Sequence, residues 1–334
     1  MKVVIVGANG MIGRKLAAWL AGSGQLAGRR MAELTLADIG PPVAPEGARL
    51  PVMVQTGDVA ESSMADRLIA GRPDVIFHLA ATVMGQAESD FVAGCRINFD
   101  TTRALLDAAR RAGGGYRPRF VYASSTAVYG TPYPDVIPED FFHTPQSSYG
   151  TQKAMSELLL ADYTRRGFVD GIGIRLPTIC VRPGAPTFGS SGFFSNILRD
   201  PLAGREAVLP VSESVRHWFA SPRAAVGYLV HAAGIDGERL GDRRSLTMPG
   251  LSGTVAEAIA ALRRVAGDPA VALIRRELDP EMEAIAAGLP KRFVTDRAEA
   301  LGFRADGLGL GPEASFDDIL RIHVEDDLGS SVRI

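Results

Sequence analysis

The sequence predicts an α/β fold in which a doubly wound parallel sheet is joined to a smaller C-terminal domain. Three observations support this prediction for the 334-residue chain. Short apolar runs without polar alternation recur along its first half, as in strands that are buried on both faces. Helical patterns separate these runs, and strand–helix–strand repetition implies right-handed crossovers. A glycine-rich turn follows the first run directly, where the strand would lead into a helix.

Strands and helices alternate in the predicted order from Lys2 to about Thr178. The strands are the apolar runs at 3–6, 34–38, 52–58, 75–81, 120–125 and 172–179. The helices lie near 11–22, 61–70, 91–112 and 149–166. This alternation assigns residues 1–178 to a single sheet domain.

The pattern becomes looser after about residue 180. The Pro/Gly/Ser segment 183–192 and the segment 307–312 predict loops. Helices are predicted at 193–203, 222–235 and 254–266. Thr254 and Glu257 have the spacing of a capping box at the start of the last of these helices. Residues 179–334 are therefore assigned to a smaller substrate-binding region that is partly interleaved with the first domain.

Composition and charge exclude several classes of protein. Hydrophobic residues make up 46% of the chain and charged residues 22%, and the formal net charge is -2. This balance indicates neither a nucleic-acid nor a membrane partner. No segment has the roughly 18 consecutive apolar residues of a membrane span. The apolar N-terminus is interrupted by glycines and followed by Arg14 and Lys15, unlike a signal peptide.

Cysteines and histidines give no metal-ligand pattern, so no metal site is predicted. Cys95 and Cys180 lie far apart in sequence, which also argues against a disulfide framework. We expect a soluble protein in a reducing, cytoplasmic compartment.

Gly7, Gly10 and Gly13 give the pattern G-x-x-G-x-x-G between the first strand and the first helix. Glycines at such a turn let the backbone approach a pyrophosphate, and the helix N-terminus offers its amides to the negative charge. Asp38 ends the second strand, where a carboxylate accepts hydrogen bonds from ribose hydroxyls and repels a 2′-phosphate. No arginine follows Asp38 directly. The pattern predicts a Rossmann-type NAD site rather than an NADP site.

Other residues are predicted to complete the cofactor site. Asp58 ends the third strand and is placed to meet the adenine amino group, with a turn or helix-cap role as the alternative. The remaining predicted cofactor residues adjoin the same strands and turns: Asn9, Met11, Ile12, Val59, Leu79, Ala80 and Ala81.

Tyr149 and Lys153 are one helical turn apart and therefore share a face of the predicted helix. Only four of the 36 basic residues are lysine, which favours a role here that arginine cannot fill. An unperturbed tyrosine, with a pKa of about 10, is a poor base, but a nearby ammonium and the positive nicotinamide favour its phenolate. Oxidation of an alcohol by NAD needs such a base. The alternative is a pair of polar residues on a solvated helix.

Ser125 and Thr126 follow the fifth strand in the segment VYASSTAVYG. A hydroxyl donor is needed here to hold the substrate oxygen. We assign that role to Ser125, with Thr126 as a helper that faces the substrate.

The order and spacing of these motifs over about the first 180 residues resemble the extended short-chain dehydrogenase/reductase family. The matching segments are GANGMIG, HLAA, RINFDTT, SSTAVYG and YGTQK, together with Asp38. The resemblance implies Tyr149 as the catalytic acid/base, Lys153 as its partner on the nicotinamide ribose and Ser125 as the substrate anchor. It also implies a structural role for Asn98 on the cofactor side and places Pro177 beside the nicotinamide.

Departures from the family patterns bear on the reaction. Dehydratases carry an acidic pair after the catalytic hydroxyl residue, where this chain has Thr126-Ala127-Val128. Nucleotide-sugar enzymes have an asparagine where this chain has Thr178, and an acidic residue that RHWFASPR (216–223) lacks. The segments HLAATVMGQAESDF, RLPTICVRPG and WFASPRAAVGYLVHAA instead resemble a branch of the family that oxidises the four-carbon sugar acid D-erythronate. This resemblance implies oxidation at C2 to the 2-oxo acid.

A small anionic substrate needs a positively charged anchor. Arg182 is the first candidate because it follows the sixth strand at the edge where the cleft opens, and Arg216 is the second. A structural salt bridge or a solvated side chain is the alternative for each. Three further positions are assigned to the polyol hydroxyls: Thr82, Thr178 and the Ser190-Ser191 loop.

Two other functions are compatible with the same residues. A nucleotide-sugar epimerase or reductase of the family is one, and an epimerase would use NAD transiently without releasing NADH. A protein that holds NAD without turnover is the other. The resemblance also implies a homodimer formed through the helices near 91–112 and 149–166.

Overall fold

The computed structural model describes residues 1–184, 191–305 and 315–329. Its strands are β1 (Lys2–Val6), β2 (Glu33–Asp38), β3 (Val52–Thr56), β4 (Val75–His78), β5 (Arg119–Ser125), β6 (Asp170–Leu176), β7 (Thr178–Ile179), β8 (Ala207–Leu209), β9 (Arg216–Ala220), β10 (Ser245–Thr247), β11 (Leu251–Thr254) and β12 (Ile274–Arg276). A short antiparallel hairpin pairs Gln25–Leu26 with Arg29–Arg30.

The helices lie between and around these strands. They are α1 (Met11–Ser23), α2 (Ser62–Ala70), α3 (Met84–Ser89), α4 (Phe91–Cys95), α5 (Thr101–Ala112), α6 (Ser148–Arg165), α7 (Gly192–Leu202), α8 (Pro222–Gly234), α9 (Val255–Ala272), α10 (Pro280–Ala287), α11 (Asp296–Ala300) and α12 (Phe316–His323). Two 3-10 turns, Thr126–Val128 and Gly237–Leu240, and two π turns, Arg96–Asp100 and Val324–Leu328, complete the helical elements.

Seven strands form one parallel sheet in the order β10-β6-β5-β4-β1-β2-β3. The chain moves outward from β1 to β3 and then returns to place β4 on the other side of β1. Such a reversal opens a crevice at the carboxyl ends of the strands, where ligands bind in sheets of this type. The predicted doubly wound, Rossmann-type parallel sheet is confirmed.

Burial of the strands follows their position in the sheet. Residues 75–78 of β4 and 3–6 of β1 are buried because helices cover both faces of the central strands. The edge strand β3 differs, since Met53 and Val54 are exposed. The run of apolar residues therefore predicts two-sided burial correctly in the centre of the sheet and not at its edge.

Two predicted elements are interrupted in the structure. The predicted helix over 91–112 is present, but a π turn at Arg96–Asp100 within it separates α4 from α5. The prediction of one strand over 172–179 is wrong. Pro177 has no backbone N–H to continue the ladder, so β6 ends at Leu176 and β7 joins a different sheet.

The C-terminal part of the chain returns to the main sheet. Strand β10 pairs in parallel with β6, while β7, β9 and β11 form a separate small sheet and β8 pairs with β12. The predicted capping box is present at the start of α9, where the Thr254 and Glu257 side chains each bond the other's backbone N–H. Gly267, with a φ of 77°, introduces a kink, and the helix continues beyond it to Ala272. The domain boundary at 178 stays a prediction.

Two of the predicted loops cannot be compared in full. The segment 307–312 and most of the segment 183–192 lie outside the described residues. Within the ranges that are described, no helix has the length and apolar character needed to cross a membrane.

Candidate functional site

The glycine-rich turn after β1 is shaped by two close contacts of the backbone. A Cβ atom on Gly7, whose φ is 91°, would lie 2.5 Å from the backbone nitrogen of Ala80. A Cβ atom on Gly13 would lie 2.2 Å from the carbonyl oxygen of Gly7. Gly10 is less crowded, with 3.3 Å to the same oxygen, so the protein's own packing explains two of the three glycines. The third fits a turn that a ligand approaches closely.

The N-terminus of α1 leaves its first backbone amides available. Gly10 occupies the N-cap position and provides no side-chain cap. An α-helix has four backbone N–H groups without intrahelical partners at this end, and a phosphate is a suitable acceptor for them. Met11 and Ile12 form the first turn and are partly buried against the core.

Asp38 ties the end of β2 to the glycine-rich turn. Its carboxylate accepts hydrogen bonds from the backbone N–H groups of Asn9 and Ile39, each at 2.8 Å. The Asn9 side chain donates to the carbonyl of Gly40 at 3.0 Å. Each carboxylate oxygen keeps a lone pair for a further donor, so the arrangement fits the ribose hydroxyls of a dinucleotide.

Asp58 is engaged by an arginine that the sequence did not single out. Its carboxylate accepts from the Arg96 Nε at 2.8 Å and from the backbone N–H of Ala60 at 2.9 Å. The predicted contact of Asp58 with adenine stays a prediction. Its neighbour Val59 is buried in the core beneath the sheet.

The beginning of α6 is pressed against the turn that follows β5. Ser147 caps the helix by accepting from the Gly150 N–H at 3.0 Å. A Cβ atom on Gly150 would lie 2.1 Å from the carbonyl oxygen of Ala127, so only glycine permits this approach. The contact brings Tyr149 to Ser125, whose hydroxyl also caps the 3-10 turn at Ala127.

The environment of Tyr149 acts on its pKa in two directions. Burial raises the pKa of Tyr149, whereas a hydrogen bond with Ser125 and the positive charge of Arg182 lower it. Burial lowers the pKa of Lys153 to about 7, against the opposing effect of Glu157. The expectation that a nearby ammonium and the positive nicotinamide favour the phenolate stays a prediction, and Ser125 and Arg182 are two further groups that lower the pKa of Tyr149.

Lys153 lies between strand β5 and the ring of Tyr149. Its Nζ donates to the carbonyl of Ala123 on β5 at 2.8 Å. It also lies 4.8 Å from the centre of the Tyr122 ring and 5.6 Å from that of Tyr149. These contacts fix the amine between the end of β5 and the phenol ring.

Asn98 lies at the π turn and fastens it to its surroundings. Its side-chain oxygen accepts from the Thr82 N–H at 2.9 Å, and its Nδ2 donates to Gln152 at 2.7 Å. Its carbonyl, which the widened turn leaves accessible, accepts from Ser156 and Thr102 at 3.2 and 3.3 Å. Gln152 was not among the residues predicted from the sequence, although it directly precedes Lys153.

A buried network beneath Lys153 was also missed. Glu157 accepts hydrogen bonds from Arg175 at 2.7 to 3.1 Å and a further one from Ser124. His143 lies 3.3 Å from the Glu157 carboxylate. Arg175 and His143 hold the pKa of Glu157 at about 2, overcoming the opposite effect of burial. The signal available in the sequence was a glutamate one helical turn after Lys153.

The other predicted residues differ in their exposure. Thr82 is buried and its hydroxyl bonds the Gln86 side chain, while Thr126 is buried within its 3-10 turn. Thr178 is half-buried and bonds His217. The remaining predicted residues range from buried Pro177 to half-buried Leu79 and Ala80 and exposed Ala81. Ser190 lies outside the described residues.

The two candidate arginines are in different electrostatic situations. Arg182 donates from Nε to the Ile179 carbonyl at 3.2 Å and from its terminal nitrogen to Ser191 at 3.3 Å. No carboxylate among the described residues lies within ion-pair distance of Arg182. Arg216 instead bonds the Ser252 carbonyl at 2.9 Å and pairs with Glu257 at 3.4 Å. Of these two arginines, half-buried Arg182 is the one without an acidic partner among the described residues.

Metal ligands are not assembled in the described ranges. Within them, no group of three or more His, Cys, Asp or Glu side chains is arranged to hold a metal ion.

Residues 3–229 match the model of the NAD dependent epimerase/dehydratase family. This match covers well over half of the chain. The chain belongs to this family. As a member of the NAD dependent epimerase/dehydratase family, the protein uses NAD as its cofactor and is an NAD-dependent oxidoreductase that acts on a CH–OH group.

Relatives within the family are similar over nearly the whole chain. D-erythronate dehydrogenase of Cupriavidus necator is 46% identical over 330 residues, which cover 98% of each chain. D-erythronate dehydrogenase of Haemophilus influenzae is 38% identical over 328 residues, covering 98% of this chain and 100% of the relative. A crystal structure described as a nucleoside-diphosphate-sugar epimerase from Agrobacterium tumefaciens is 55% identical, with a TM-score of 0.95, and the match covers 100% and 96% of the two chains.

The pair of Glu157 and Arg175 generates a prediction about stability. Glu157→Gln removes a buried charge and leaves the Arg175 guanidinium without its counter-ion, so we expect the free energy of unfolding at pH 7 to fall by about 3–5 kcal/mol. Because the folded-state pKa of Glu157 is about 2 and its ordinary value is 4.5, this contribution is present above pH 4.5 and is lost as the pH falls toward 2.

Urea unfolding of the two proteins between pH 7 and pH 3 checks this expectation. The difference in the free energy of unfolding should shrink below about pH 4.5. The exposed Glu46→Gln serves as the matched control and should show no such difference. A Glu157→Gln variant that is as stable as the wild type at pH 7 would contradict the prediction.

Proposed function

We propose that this protein oxidises D-erythronate at its C2 hydroxyl to 2-oxo-D-erythronate, with reduction of NAD to NADH. The observation that carries the proposal is Arg182, a half-buried guanidinium without an acidic partner among the described residues. It lies close enough to Tyr149 for its charge to lower the pKa of the phenol. A carboxylate one carbon from the reacting hydroxyl would supply the missing counter-ion. The two D-erythronate dehydrogenases in the comparison support the same substrate.

In the proposed reaction the substrate loses a hydride from C2 and a proton from the C2 hydroxyl. NAD, when bound, would supply the acceptor for the hydride of C2. Tyr149, in its phenolate form, takes the proton of the C2 hydroxyl and becomes a neutral phenol, while the Ser125 hydroxyl holds the same substrate oxygen. We assign Lys153, whose amine lies 5.6 Å from the centre of the Tyr149 ring, to the nicotinamide ribose. The C2–H and O–H bonds break, and the C2–O bond becomes the carbonyl of the 2-oxo acid.

The proposed contacts with NAD involve the glycine-rich turn, the N-terminus of α1 and the end of β2. The free amides at the start of α1 and the uncrowded Gly10 suit the pyrophosphate. The Asp38 carboxylate suits the ribose hydroxyls and disfavours a 2′-phosphate.

A nucleotide-sugar epimerase is the second candidate, favoured by the description of the structure that is 55% identical. Both reactions begin with loss of a hydride and use the same tyrosine and lysine. They differ in what leaves the enzyme, since an epimerase returns the hydride and releases no NADH. Arg182 favours the sugar acid, because a sugar hydroxyl would leave its charge uncompensated.

Two further properties belong to the proposal. We assign the protein to the cytoplasm, where a hydroxy acid entering sugar-acid catabolism would meet it. Cys95 and Cys180 both lie in the described ranges and form no disulfide, which suits a reducing compartment.

We also propose a homodimer built on α4 and α6. Phe91 and Val92 on α4 are 63% and 76% exposed, and Leu158 on α6 is 65% exposed. Met155, one helical turn before Leu158, is 36% exposed, and α4 packs against α6. An apolar surface on two neighbouring helices suits a second copy that presents the same surface.

The substrate assignment is tested by NADH formation. The purified protein with NAD and D-erythronate should accumulate NADH, and Tyr149→Phe should reduce kcat by about 100- to 10,000-fold because the base is lost, while NAD still binds. Tyr163→Phe is the matched control, since Tyr163 lies on the same helix and bonds Asp107. Conversion of UDP-glucose without NADH would replace this proposal with the epimerase, and full activity of Tyr149→Phe would contradict the mechanism.

The assignment of the carboxylate anchor is tested by Arg182→Met. Loss of a charge-assisted hydrogen bond is worth about 1.5–3 kcal/mol, so kcat/KM for D-erythronate should fall by about 10- to 100-fold. Arg216→Met should change kcat/KM little, because Arg216 is already paired with Glu257. The reverse result in steady-state kinetics would move the anchor to Arg216.

The dimer is tested by Leu158→Glu. A charge at the centre of the apolar surface should convert the dimer to a monomer, as measured by sedimentation velocity. Leu278→Glu is the control, because Leu278 is as exposed, at 66%, but lies outside both helices. A wild-type protein that sediments as a monomer would rule out the dimer.

A further inference from the structure

His217 lies in β9 beside the proposed substrate side of the cleft and is buried. Its Nε2 lies 2.6 Å from the Thr178 hydroxyl, and its Nδ1 lies 2.8 Å from the Pro290 carbonyl. The Phe194 ring stacks on the imidazole with 5.4 Å between centres and an angle of 11°. Phe219 meets it edge-on. These contacts hold the ring in one orientation.

The partners of the ring determine where its proton lies. The Pro290 carbonyl accepts hydrogen bonds only, so Nδ1 must carry a proton. Burial and the nearby Arg182 charge lower the pKa of His217 to about 4, with the Pro290 hydrogen bond acting in the opposite direction. The ring is therefore neutral near pH 7, and its Nε2 carries no proton. The Thr178 hydroxyl must donate to Nε2.

Because of this hydrogen bond, the Thr178 hydroxyl can only accept a hydrogen bond from a substrate. A hydroxyl has a single proton, and the Thr178 proton is committed to His217, so the oxygen keeps only acceptor capacity. A substrate group at this oxygen must be a donor. A carboxylate is excluded there, whereas a hydroxyl is suitable.

Thr178 is also placed near the reacting groups. It is half-buried and lies two residues beyond Leu176, which is paired with Ser125 across the β5–β6 ladder. The charge of Arg182 acts on both Tyr149 and His217, so these three groups lie near one another. The site thus combines Arg182, a cation that can only donate hydrogen bonds, with the Thr178 hydroxyl, which can only accept a further one.

We infer that His217 is a positioning residue for substrate selection. Through Thr178 it creates an acceptor for a substrate hydroxyl beyond C2, and so selects polyhydroxy acids over acids with a single 2-hydroxyl group. The inference rests on the proposed function, because it takes the C2 hydroxyl and the carboxylate as already placed by Tyr149 and Arg182. It adds a third recognition point on the carbon chain.

The test compares two acids of the same length and C2 configuration. (R)-2-Hydroxybutanoate lacks the C3 and C4 hydroxyls of D-erythronate. The measured quantity is the ratio of kcat/KM for D-erythronate to that for (R)-2-hydroxybutanoate, and the wild type should strongly favour D-erythronate. Loss of a neutral hydrogen bond should lower this ratio by about 3- to 10-fold in Thr178→Val and in His217→Phe. Thr178→Ser and His217→Gln, which keep the donor and the acceptor, should preserve the ratio.

A double variant of Thr178 and His217 distinguishes a positioning role of His217 from a purely structural one. Because His217 acts through Thr178, the double variant Thr178→Val/His217→Phe should lower the ratio no further than Thr178→Val alone. His231→Phe is the matched control: His231 also bonds a backbone carbonyl, that of Leu301 at 2.9 Å, and should leave the ratio unchanged. Thr178→Val and Thr178→Ser, compared with His217→Gln, carry the test if His217→Phe does not fold.

The outcomes distinguish the inference from the proposal beneath it. If the wild-type protein forms no NADH with any sugar acid, both the proposed function and this inference are overturned. Wild-type activity with an unchanged ratio in Thr178→Val and His217→Phe overturns the inference alone, as does an additive effect in the double variant.

Discussion

Glu157 on α6 and Arg175 on β6 form a buried ion pair that joins the helix carrying Tyr149 and Lys153 to the strand that precedes Arg182. Both side chains are removed from water, so each charge depends on the other. Lys153 lies one helical turn before Glu157, and the carboxylate opposes the loss of the Lys153 proton. Through this pair, the position of the base on α6 and the course of the chain after β6 are fixed together.

Burial is the common cause of the unusual charges in the cleft. It raises the pKa of Tyr149 and lowers the pKa of Lys153 to about 7. It also lowers the pKa of Arg182, which nevertheless remains far above neutrality as an arginine. The cleft therefore has one cation that titrates near neutral pH and one that stays charged. The permanent charge lies on the substrate side and the titrating one beneath the phenol.

The fold was predictable where local pattern and burial agree. Apolar runs identified the central strands because helices cover both of their faces, and the glycine-rich turn identified the connection from β1 to α1. The pattern did not show the π turn within 91–112 or the end of the strand before Pro177. A π turn and a strand that leaves its sheet depend on distant partners, such as Ser156 bonding the Asn98 carbonyl, and those partners do not alter local periodicity.

Local patterns in the sequence were sufficient for the fold class, the glycine-rich turn and the spacing of Tyr149 and Lys153, because these depend on residues a few positions apart. Three-dimensional packing was needed to show that Arg182 lacks an acidic partner among the described residues while Arg216 has one. It also decided that His217 meets Thr178, 39 residues away in sequence. The direction of a hydrogen bond and the pairing of a charge depend on which side chains meet across separate strands. The sequence gives the identities of these side chains but not the distances between them.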